Sequence, residues 1–153
     1  MSLKTSRFKP WLAILFCGLV LAVSSAWAQT VAELTAAAEQ GDVDAQYNLG
    51  VMYANGEGVP EDDATAVMWY TKAAEQGDAG AQFNLGLMYD NGRGVPEDDV
   101  SAYMWWNLAA ALGHENAKKG KEIVAETMTR EDISKAQALS RECLAQDYKN
   151  CGY

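Results

Sequence analysis

The phrase NGEGVPEDD at Asn55–Asp63 returns as NGRGVPEDD at Asn91–Asp99, and the likeness extends well beyond it. The 36 residues from Ala37 align with the 36 from Ala73, and about two thirds of the positions are identical. A third unit starts in phase, since Gly41, Gly77 and Gly113 keep the period, as do Ala45, Ala81 and Ala117. It then decays, with Lys121 and Glu122 standing where Leu49-Gly50 and Leu85-Gly86 stood. A period of this length marks a solenoid, whose units bury their apolar faces only against one another.

Each unit reads as two helices. Ala45, Leu49, Met52 and Tyr53 fall at helical spacing in the first, and Ala66, Trp69, Tyr70, Ala73 and Ala74 in the second. The repeated phrase is their connection. Gly56 and Gly58 permit positive φ, Pro60 cannot continue a helix, and Asp62 is placed to cap the helix that follows. Asp42 and Asp78 cap the first helices, and His114 takes the same slot one period on. The single difference between the two phrases, Glu57 against Arg93, is expected to tolerate change. Trp69 and Trp105 are expected in the core.

With these positions in place, the pattern resembles the Sel-one-like repeat family, relatives of the tetratricopeptide repeats. The first unit supplies Ala45, Leu49, Gly50, Tyr53, Gly56, Gly58, Val59, Asp62, Ala66, Trp69, Ala73, Ala74 and Gly77, and the second repeats the set from Ala81 to Gly113. The resemblance implies an all-α, right-handed superhelix of helix pairs that serves as an interaction scaffold.

The ends of the chain are different. Met1–Pro10 carries Lys4, Arg7 and Lys9, an apolar run spans Trp11–Val23, and Ala26-Trp27-Ala28 forms a small-residue cleavage pattern. We therefore expect a signal peptide over residues 1–28, cleaved after Ala28, and a periplasmic or secreted protein; an uncleaved anchor is the alternative. Residues 29–41 are expected to form an N-terminal capping helix, followed by complete units at 42–77 and 78–113. A degenerate unit and a capping helix fill 114–153. That last helix should start at Thr129 and run to about Tyr148, with Ile133, Ala136, Leu139 and Cys143 on one side, for seven helices in all.

Charge excludes some partners. Removing the leader takes three of the 12 basic residues and none of the 21 acidic ones. So acidic a chain, whose one basic cluster (Lys118, Lys119, Lys121) lies among glutamates, is unsuited to nucleic acid or to an anionic membrane surface. A monomer is expected.

The chemical inventory is small. His114 is the only histidine, and no His, Cys and carboxylate set has the spacing of a zinc site. The acidic triplets Glu61-Asp62-Asp63 and Glu97-Asp98-Asp99 suit calcium in composition, but helix capping accounts for them. No metal or cofactor is expected. The rival functional class is a penicillin-binding or β-lactamase-like hydrolase, suggested by cysteine-rich relatives of the family. Neither complete unit contains Cys, and the only Ser-x-x-Lys, Ser6 to Lys9, lies in the leader. Cys143 and Cys151 are the cysteines left after processing and are expected to pair in an oxidising compartment.

A non-catalytic, protein- or peptide-binding role remains, and its surface is expected on the first helices. Tyr47, Val51, Phe83 and Leu87 lie opposite the Ala45, Leu49 and Tyr53 face, on the side that lines the concave groove in tetratricopeptide-like stacks. Asp44 and Asp90 lie beside them. These apolar side chains either meet a ligand or pack against the neighbouring first helix.

Overall fold

The computed structural model describes residues 30–149 and 151. The expected leader, residues 1–28, and its expected cleavage site lie outside them. Seven helices follow one another: α1 over 30–39, α2 (Val43–Asn55), α3 (Asp63–Ala74), α4 (Ala79–Asp90), α5 (Asp99–Ala111), α6 (Glu115–Ala125) and α7 (Arg130–Ala145). There is no strand among the described residues.

The caps recur with the period. Asp42 accepts from the Ala45 amide at 2.8 Å, Asp78 from Ala81 at 2.6 Å, and His114 Nδ1 from Ala117 at 3.2 Å. Asp62 and Asp98 cap α3 and α5 in the same way, and each also accepts a hydroxyl, from Thr65 and Ser101 respectively. Each cap satisfies an amide that would otherwise lack a partner at the helix start. Thr129 caps α7 through the Asp132 amide. That helix stops at Ala145, short of Tyr148, because Asp147 and Tyr148 take up left-handed φ of 55° and 62°. The turn brings Cys151 back to Cys143, and the two form a disulfide with Cα atoms 4.9 Å apart.

Within a unit, the two helices approach where the first carries glycine. A Cβ at Gly50 would overlap the Tyr70 ring, and one at Gly86 would overlap the indole of Trp106. Leu49 and Leu85 beside them are fully buried, each contributing roughly 1.5 to 3 kcal/mol by leaving water. Trp69 and Trp105 are buried as expected. Along the stack the first helices touch, α2 with α4 and α4 with α6, whereas α3 and α5 make no comparable contact. The degenerate third unit still packs: Gly120 of α6 also meets the Trp106 indole, and α7 lies against α5.

Candidate functional site

The six residues expected to form a groove occupy three environments. Asp44 and Leu87 reach solvent, Leu87 being 38% exposed. Tyr47 and Val51 are half-buried against one core cluster, with the Tyr47 ring 6.0 Å from that of Tyr70 and its edge against Gly80 at the start of α4. Phe83, one period later, stacks on His114 at the start of α6, with centroids 4.5 Å apart. The aromatic of each first helix therefore packs on the beginning of the next one. Asp90 is half-buried at the end of α4, and its carboxyl is pushed up, first by burial and then by the nearby Asp99 and Glu97.

Arg93 departs from expectation. Its Nη2 donates to Asp63 Oδ1 at 2.6 Å and its Nε to Asp63 Oδ2 at 3.1 Å, a bidentate clasp on the first residue of α3. Nη2 also donates to the Ala54 carbonyl at 3.0 Å, and Glu61 lies 3.6 Å away. The position that distinguishes the two loops thus pins the second loop to the first unit. Next to it, Gly94 holds φ at +70° with its Cα against the Asp63 carbonyl, where a Cβ would overlap the backbone. One signal for this was legible: Arg93 is a charge reversal in an otherwise repeated acidic phrase.

Two buried amides form a second periodic feature. Gln46 and Gln82 donate through Nε2 to the carbonyls of Ala38 and Ala74. The Oε1 of Gln46 then accepts from Gln76 Nε2 at 2.7 Å, but that of Gln82, fully buried, has no partner. The residue one period beyond Gln76 is Leu112, which has no donor to offer.

Among the described residues no group of three or more His, Cys, Asp or Glu is placed to hold a metal ion, and no helix is long and apolar enough to cross a membrane.

A stack of capped helix pairs with a 36-residue period defines an α-solenoid of repeat units. The Sel1 repeat model matches residues 43–78 and 79–114, so the paired units belong to the Sel1 repeat family. The chain resembles two solved structures. One is a protective antigen present in uropathogenic Escherichia coli strains, displaying an SLR fold, at 32% identity over 77% of this chain with a TM-score of 0.73. The other is a Sel1 repeat protein from Oxalobacter formigenes, at 44% identity over 56% of this chain with a TM-score of 0.55. This chain spans about a quarter of the length of each, 26% and 25%. No curated protein matches the sequence.

Proposed function

We propose that this chain is a non-catalytic scaffold of the cell envelope that binds a protein or peptide along its first helices and acts as an adaptor. The observation that carries the proposal is that along the two complete units the first helices touch, α2 with α4 and α4 with α6, without a matching contact between α3 and α5; the terminal helix α7, packed on α5, is the exception on the second-helix side. We take the first helices of the complete units as the inner side of the stack, and an inner side of this kind is the usual docking face of a solenoid. Leu87 stands exposed on it, and Tyr47, Val51 and Phe83 form a half-buried floor, with the carboxylate of Asp44 in solvent. An extended or helical peptide with apolar anchors and a basic end suits such a surface.

The disulfide at the end of α7 supports an envelope location, because such bridges persist in oxidising compartments. The solved relative described as a protective antigen is consistent with exposure outside the cytoplasm.

The test uses Leu87, since changing Tyr47 or Phe83 would also remove packing. Leu87→Ser should keep the thermal midpoint while reducing, by about tenfold, recovery of a cross-linked envelope partner that the unchanged chain captures. Equal recovery by both chains would place binding elsewhere.

A further inference from the structure

The first unit holds a guanidinium in a receptor that the second unit repeats without a cation. In the occupied copy, Arg93 is held by the Asp63 carboxylate, the Ala54 carbonyl and the nearby Glu61. One period on, the same receptor positions are Asp99, Asp90 and Glu97, and the residue in register with Arg93 is Thr129. Among the described residues, the only ion pairs are those of Arg93, so none involves the second receptor.

The local packing leaves this second receptor open. A cleft separates the start of α5 from the turn before α7, lined by Glu97, Asp99, Thr127, Met128, Thr129 and Asp132. No basic side chain lines it. The turn is too short to reproduce the second loop, because α7 begins at Arg130, five residues before the repeat period would start it. Thr129 caps α7, and Asp98 has both carboxylate oxygens engaged in capping α5. Asp99, Glu97 and Asp90 are not used in this way. Asp90, which replaces Ala54 of the occupied copy, does not line the cleft but lies near enough to Asp99 and Glu97 to feel their charge.

We infer that this cleft binds an arginine side chain of a partner protein, as the first receptor binds Arg93. The chemistry favours guanidinium over a point cation. In the occupied copy two nitrogens fork onto one carboxylate, and one of them also reaches a main-chain carbonyl, a geometry that an ammonium cannot reproduce. The carboxyl of Asp90 is pushed up first by burial and then by Asp99 and Glu97, and no basic side chain lines the cleft beside those two carboxylates. This inference rests on the scaffold reading above but concerns a different face, so the Leu87 experiment can succeed where this one fails, and the reverse.

The test is a backbone-amide NMR titration of the oxidised full chain with acetyl-Gly-Arg-Gly-amide. Counterparts carry lysine or the neutral isostere citrulline, and a separate arm uses calcium chloride. The arginine peptide should shift the amides of Glu97–Val100 and Thr127–Thr129 and saturate at about millimolar concentration, a value that rises with salt. The lysine peptide should bind several-fold more weakly, and citrulline should leave those amides unmoved. Asp99→Asn and, separately, Glu97→Gln should each weaken the arginine peptide at least about fivefold with the circular dichroism unchanged; Glu97 caps nothing, so its variant remains informative if Asp99→Asn misfolds. The inference is overturned by equal shifts with citrulline, by no local shift up to about 20 mM arginine peptide, by unchanged affinity in Glu97→Gln, or by calcium saturating the same amides at lower concentration.

Discussion

The indole of Trp106 rests against Gly86 so closely that a Cβ there would overlap the ring, and its Nε1 donates to the Phe83 carbonyl at 3.1 Å. Gly120 of the next helix meets the same indole at Cδ2, Cε2 and Cε3. One aromatic thus joins three helices, and glycine makes room for it twice. Gly86→Ala should destabilise the fold by about 1 to 3 kcal/mol, since neither the ring nor its hydrogen bond can shift without cost. Urea unfolding measures it, and a loss below about 0.5 kcal/mol would show that the indole has space to move.

The unpartnered Oε1 of Gln82 gives a prediction of opposite sign. Leu112→Gln restores the amide that Gln76 supplies to Gln46 one period earlier, and it removes a 46% exposed leucine. It should stabilise the chain by about 1 kcal/mol, seen as a higher urea midpoint at unchanged slope. Gln76→Leu should cost a similar amount by leaving Gln46 in the same state. No gain from Leu112→Gln would mean that the new side chain stays in solvent.

Arg93 and Asp63 should be coupled. Both side chains reach solvent, so the pair is worth only about 1 kcal/mol, even with bidentate geometry and the added bond to Ala54. A double-mutant cycle of Arg93→Ala with Asp63→Asn should return that coupling and show it shrinking in high salt. Glu57→Ala, which removes a side chain that accepts from the exposed Asn55 amide, should change little. Additive losses at Arg93 and Asp63 would dissolve the clasp.

Tyr70 gives the fold an alkaline limit. Burial, followed by the proximity of Tyr47, pushes its phenol from 10.0 up to about 12. The folded state therefore favours the neutral phenol, whose stabilising contribution is complete below pH 10 and is lost as pH rises through 12. Thermal midpoints should fall across that window in the parent chain and fall less in Tyr70→Phe. Identical profiles would show that the phenol titrates as it does in water.

Export and pairing are read together from one mass. On the proposed export, the mature protein should begin at Gln29 and weigh two hydrogens less than its reduced form. Thiols that alkylate without prior reduction would contradict the Cys143–Cys151 bridge. Reducing that bridge should cost roughly 2 to 3 kcal/mol, since it closes a short loop at the end of α7.

The sequence by itself determined the helix pairs, their caps and their period. Those features depend on neighbours three or four residues apart, and Asp42, Asp62, Asp78 and Asp98 carry the same signal wherever the chain goes next. His114 as a cap, Trp69 and Trp105 as core, and the Cys143–Cys151 pair were legible for the same local or compositional reasons. Only the tertiary structure decided what each unit does to the next. Arg93 clasps a residue 30 positions earlier, Gln76 meets Gln46 across the same interval, and Phe83 rests on His114. Identical sequence in two units therefore meets different neighbours, because the second unit is followed by a degenerate third. That asymmetry leaves Gln82 without a donor and the Glu97–Asp99 receptor without a cation, since a solenoid completes each unit with side chains from the one beside it.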